Sequence, residues 1–120
     1  MGEHTADYYP GDDCVDLVGL DAYTDFIDPD HIIGYAAVAG LPKPFGFAEY
    51  GPHGSANPPG DYDYRRFIPG LKAHFPRTTF FMTWDANWSP ANNLHARELY
   101  RDPEMVNRAD LPSGLAGTGP

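Results

Sequence analysis

The chain has 120 residues, room for at most one ordinary domain, and its 42% hydrophobic content with two Trp, eight Tyr and seven Phe describes a packed, aromatic-rich core rather than a disordered segment. A formal charge of −9 repels phosphates over most of the surface, which argues against nucleic acid and against an anionic membrane surface as partners. Cys14 is the one cysteine, so no intrachain disulfide can form, and no apolar run approaches the roughly 20 residues needed to cross a bilayer.

The opening MGEHTADYYPGDD has no basic start followed by an apolar run, so no signal peptide is visible in it, and it does not fit the myristoylation pattern. Asp12, Asp13 and Asp16 lack the ligand spacing of a calcium loop and read as a solvated stretch. Next, CVDLVGLDAY is apolar with few breaks and predicts a first strand over about residues 14–22, buried on both faces and ending in polar Asp21 and aromatic Tyr23. DPDHIIGYAAVAG then predicts a short helix, with Asp28 as N-cap, Pro29 at the first helical position and Gly40 as the stop.

PFGFAEY predicts a second strand over residues 44–50, closing on Glu49 and Tyr50, with a Gly/Pro-rich loop to Gly60 behind it. In DYDYRRFIPGLKAHF, Tyr64, Phe67, Ile68, Leu71 and Phe75 fall on one helical face, and Pro69 and Gly70 are expected to kink or interrupt it. TTFFMTW predicts a third strand over residues 78–84, ending in Trp84 and Asp85. The stretch NNLHARELYRDPEMVNRADLP reads as helical, with Pro103 restarting a second short turn. Strands alternating with helices give an α/β chain with a parallel sheet, in which polar and aromatic residues gather at the C-terminal strand ends where such folds build their sites.

Three motifs in order, YYPGDDCVDLVGLDAY, KPFGFAEYG and FFMTWDANWSPANNLHARELYRDPEMVNRADLP, resemble the C-terminal portion of family 26 glycoside hydrolases, the bacterial endo-β-mannanases. The resemblance covers roughly Tyr8 to Pro112 and implies a partial (β/α)8 TIM barrel, with three parallel strands standing for the sixth, seventh and eighth of the barrel. It implies Glu49 as the catalytic nucleophile, Tyr23 as the tyrosine that orients it, and Trp84 as the aromatic floor beside the cleaved bond. Trp88, Asp21 and His53 join as candidate substrate contacts. The expected partner is a β-linked polysaccharide or oligosaccharide, with no cofactor and no metal; the parent enzyme is expected to be secreted or at the cell surface.

In the family the general acid/base glutamate ends the fourth strand, upstream of all three motifs, and no other glutamate here ends a strand. The resemblance therefore implies a retaining glycosidase piece that carries the nucleophile without the acid/base. The alternative is a non-catalytic sugar-binding remnant, or a half that needs a partner chain, with self-association through open sheet edges; a third reading is an acidic structural domain. Read without the motifs, Glu49 serves as well as a structural carboxylate, and Tyr23 and Trp88 as core aromatics. His31, His53, His74 and His95 show no zinc spacing, and neither GxGxxG nor a P-loop occurs.

Overall fold

A computed structural model of the protein describes residues 2–114. Three parallel strands lie side by side in the order β1 (Val18–Tyr23), β2 (Phe45–Gly51) and β3 (Thr78–Thr83). The crossover from β1 to β2 carries α1 (Tyr35–Val38), that from β2 to β3 carries α2 (Phe67–His74), and α3 (Ala96–Tyr100) follows β3. One face of the sheet is closed by this layer: Leu20 and Ala22 of β1 and Phe45, Phe47 and Tyr50 of β2 are buried together with Phe67, Ile68 and Leu71 of α2. Aromatic edges and faces meet throughout that core, with Phe67 standing 4.4 Å from Tyr50 and 4.7 Å from Phe81, centroid to centroid. Each such ring contributes about 2–3 kcal/mol by leaving water.

Several local expectations change. The first strand begins at Val18, because Asp12–Cys14 forms a short turn instead, and it is buried on one face only, with Gly19 and Asp21 exposed on the other. The helix expected from Asp28 shrinks to four residues. Asp28 does cap a turn, its Oδ1 accepting from the backbone N–H groups of Asp30 and His31, but Gly34 then enters the left-handed region (φ 98°) and ends it. Pro69 neither kinks nor breaks α2, which runs unbroken from Phe67 to His74. It sits in the first turn, where the N–H it lacks is among those without an intrahelical acceptor. Gly70 lets Ile27 approach, since a Cβ there would stand 2.7 Å from the Ile27 Cβ. After α3 the chain does make the short turn expected at Pro103, where the Met105 N–H donates to the Asp102 carbonyl at 2.9 Å, and then a further turn, Arg108–Asp110.

Two details position the site. The register slips between Leu20 and Asp21: Leu20 pairs with Phe47 but Asp21 pairs with Glu49, which leaves Ala48 as an extra residue in β2. Before this bulge the odd-numbered Phe45 and Phe47 face the core; after it the even-numbered Tyr50 does. Regular alternation would have sent Glu49 inward with the phenylalanines, and the bulge sends it to the opposite, open face. Gly19 makes the room, because a Cβ on it would lie 2.7 Å from that of Ala48. Entry into β2 is fixed by Arg77, whose guanidinium donates to the carbonyls of Ala39, Leu41 (2.9 Å) and Lys43 (3.0 Å).

Candidate active site

At the C-terminal end of the sheet, Asp21, Tyr23 and Glu49 share the open face. The Tyr23 hydroxyl donates to Glu49 Oε1, across from β1 to β2. Burial raises the Tyr23 phenol well above its ordinary range, and the hydrogen bond and charge of Glu49 and the charge of Asp21 push the same way. Tyr23 therefore keeps its proton at neutral pH and remains a donor. The bond engages one carboxylate oxygen, Oε1. Asp21, the register partner of Glu49, has its carboxyl raised by burial and then by the negative charge of Glu49.

The aromatic residues take different places. Trp84 continues the ladder one residue past β3, its backbone N–H donating to the Tyr50 carbonyl at 2.7 Å, while the residue stays 47% exposed. The backbone at Trp84 is thus held to β2 while close to half of the residue faces solvent. Trp88 stands edge-on to Tyr23, with centroids 6.1 Å apart at 83°, and its Cδ1 would lie 2.4 Å from a Cβ on Gly51. The Trp88 indole N–H is buried with no hydrogen-bond partner.

His53 sits in the loop after β2 with a left-handed backbone (φ 60°). Its N–H donates to Asp25 Oδ1 at 2.9 Å, Nδ1 lies 2.8 Å from Asp25 Oδ2, and Nε2 lies 3.0 Å from Asp61 Oδ1. The ring is held on both sides by carboxylates and ties the loops after β1 and β2 together. Asp85 is occupied as a cap, accepting from the Ala86 N–H at 2.6 Å. Asp12 accepts from the Tyr9 hydroxyl at 2.6 Å, which pushes the Tyr9 phenol up to about 12. Among the described residues no three His, Cys, Asp or Glu side chains are grouped to hold a metal ion, and no helix is long and apolar enough to cross a membrane.

Of the residues singled out from the sequence, Asp21, Tyr23, Glu49 and Trp88 converge, Trp84 is bonded through its backbone to Tyr50, the neighbour of Glu49, and His53 turns to Asp25 and Asp61. Asp25 and Asp61 were not anticipated. Asp25 follows Tyr23 by two residues in a loop at the C-terminal end of a strand, a position that the strand-end rule covers; Asp61 gives no such signal.

Comparison with known proteins follows the same lines. The model of Glycosyl hydrolase family 26 matches residues 2–110. A mannan endo-1,4-beta-mannosidase of Bacillus subtilis is 44% identical over 108 residues, which are 90% of this chain and 29% of the relative. Mannan endo-1,4-beta-mannosidase A and B of Caldalkalibacillus mannanilyticus is 41% identical over 113 residues, 93% of this chain and 21% of the relative. Among solved structures, Bacillus subtilis mannanase BCman superposes with a TM-score of 0.70 at 46% identity, covering 80% of this chain and 27% of that one. Bacillus subtilis mannanase man26 gives 0.68 at 41% identity, with coverage of 81% and 26%. The chain thus spans less than a third of the length of these relatives.

Proposed function

The chain belongs to glycosyl hydrolase family 26, and from that premise we propose that it carries the nucleophile side of a retaining site acting on β-mannan, with Glu49 as nucleophile and Tyr23 as the residue that orients it. The observation that carries this reading is the hydroxyl of Tyr23 donating to Glu49 at the ends of two adjacent parallel strands. In a retaining mechanism the carboxylate attacks the anomeric carbon to form a glycosyl–enzyme ester. A second carboxylic acid, about 5–5.5 Å away, protonates the departing oxygen and later activates water. Tyr23 fixes which Glu49 oxygen is engaged and which is free to attack. Trp84 offers an apolar face for the sugar, and Asp21 lends a polar contact beside the reacting carbon. On this reading the general acid is supplied by strands other than β1, β2 and β3.

A mannosyl donor with an activated leaving group and a slow-hydrolysing substituent tests the assignment. Mass analysis of digested protein is expected to find the sugar on the peptide containing Glu49, and Glu49→Gln to abolish it. Label on any other residue, or none under conditions where the chain is folded, overturns the assignment.

A second reading is supported by the two sheet edges. Beside β3 a groove of about 320 Å³ is lined by Leu71, Phe75, Phe81, Met105 and Val106, and beside β1 one of about 300 Å³ is lined by Tyr8, Tyr9, Leu17 and Val18. Open strand edges with apolar flanks invite pairing. On this reading the chain is a half that binds sugar only after a partner supplies the neighbouring strands. A monomer by sedimentation at high concentration counts against self-pairing, and unchanged Trp fluorescence on adding manno-oligosaccharide counts against sugar binding by the chain alone.

A further inference from the structure

Trp88 occupies an unusual position for a sugar platform. Its indole N–H is sealed from solvent and meets no acceptor, so the polar edge of the ring is turned into the protein rather than offered to a ligand. What the ring does meet is Tyr23, edge to face, and the backbone of Gly51, where only the lack of a side chain admits both rings: a Cβ there would stand 2.4 Å from Trp88 and 2.7 Å from Tyr23.

The backbone around Trp88 is fastened from several directions. Its carbonyl accepts from the Tyr64 hydroxyl at 2.5 Å, and the Tyr64 side chain is fully buried. Asn93 Nδ2 lies within reach of the carbonyls of Asn87 (2.8 Å) and Ser89 (2.9 Å), on either side of Trp88. A rigid turn thus presses one tryptophan against the one tyrosine that touches Glu49.

We propose that Trp88 is a positioning residue for the reaction, holding the Tyr23 ring edge-on so that its hydroxyl stays on Glu49, with Tyr64 as the anchor that holds Trp88. The inference deepens the assignment of Glu49 as nucleophile and rests on it. The line of contacts runs from the core at Tyr64, through Trp88 and Tyr23, to Glu49. A tyrosine free to swing would sample other rotamers, and Glu49 would lose the donor that selects its engaged oxygen. Burial and the Glu49 contact together raise the Tyr23 phenol, so its titration reports whether the ring is in place.

The test uses the chain labelled with ¹³C at the tyrosine Cζ, the Tyr23 resonance being identified by its loss in Tyr23→Phe. In the parent chain that resonance is expected to titrate well above the ordinary tyrosine value of about 10. Trp88→Leu is expected to return it toward about 10, and Trp88→Phe, which keeps an aromatic edge, to preserve most of the elevation. Tyr64→Phe, which removes only the anchoring hydroxyl, is expected to give a smaller downward shift, and serves if Trp88→Leu does not fold. A Tyr23 resonance that neither Trp88→Leu nor Tyr64→Phe moves overturns the proposal, and so does one that Trp88→Leu lowers by the same amount in a Glu49→Gln chain, where exposure of the ring acts without any change in its bond to Glu49. Glu49→Gln separates the levels: if it leaves Tyr23 unmoved, the Tyr23–Glu49 pairing itself fails, and the nucleophile assignment with it.

Discussion

Gly19→Ala places a methyl where β1 gives way to the bulge of β2. The added Cβ would lie 2.7 Å from the Ala48 Cβ, 3.3 Å from the Ala48 nitrogen and 3.4 Å from its Cα. Two of those three atoms are backbone, so no side-chain rotation relieves the contact, and the strands must part or the bulge must shift. Overpacking of this kind costs about 1–3 kcal/mol. With a urea slope of about 1–2 kcal/mol per molar for a small domain, the unfolding midpoint is expected to fall by roughly 0.5–3 M. Gly40→Ala is the matched control, having nothing within 4 Å of the added methyl. It is expected to be neutral or to stabilise by about 0.4–1 kcal/mol through the unfolded chain. Urea unfolding followed by Trp fluorescence measures both. If Gly19→Ala unfolds at the same midpoint as the parent or as Gly40→Ala, the account of how β1 admits the bulge, and hence how Glu49 is aimed, is wrong.

Other outcomes follow from the same contacts. The 120-residue chain is expected to show no turnover of β-mannan above background, because departure of an unprotonated sugar alkoxide forgoes about 10²–10⁴ in rate; an aryl mannoside with a good leaving group is expected to give at most a small burst, lost in Glu49→Gln. Turnover of unactivated mannan at about 1 per second or more would mean that an acid lies within the chain, and Asp21, whose carboxyl is already raised beside Glu49, would be examined first, before Asp85 and His53. Arg77→Lys keeps the charge but cannot reach three carbonyls from one fork, and is expected to cost about 1–2 kcal/mol by denaturant titration. Asp63, which pairs with Arg65, has its carboxyl lowered to about 2; a depressed carboxyl stabilises above its unfolded value of about 3.9 and loses that contribution as pH falls through the folded one. Asp63→Asn is therefore expected to flatten the stability profile between about pH 4 and 2, and an unchanged slope there would refute the pairing.

The alternation of apolar runs with Gly/Pro punctuation made the parallel sheet legible, and the switch from Leu20 to Asp21 and from Ala48 to Glu49 marked the strand ends. Helix lengths were less readable. The stretch from Asp28 to Gly40 looked helical because its start and stop signals were sound, yet Gly34, glycine at an unremarkable position in the sequence, adopts φ 98° and divides it. Pro69 looked like a breaker because the helix start could not be placed to within one turn; once it begins at Phe67, the proline is harmless. For the site, Tyr23 and Glu49 were named from the motif, but the bulge at Ala48 that puts them on one face has no sequence mark of its own. Partners such as Asp25 for His53, 28 residues apart, arise from tertiary packing and leave no local trace.

Glycine weakens a strand, so its presence in a short sheet asks for a reason. Here three strand glycines answer in the same way, each yielding its side-chain volume on the face that bears Glu49. Gly19 admits the bulged Ala48; Gly46 admits the ring of Phe80, whose Cδ1 would be 2.4 Å from a Cβ; Gly51 admits Tyr23 and Trp88. On the opposite face β2 carries Phe45, Phe47 and Tyr50, all buried at full size. Stability is thus concentrated on the helix-covered side, where bulk is largest, and local strand propensity is given up on the side where a carboxylate must be aimed and an aromatic turn must come close. Places where a sequence departs from its own local rules are where function is expected to lie, and in this chain the departures surround Glu49.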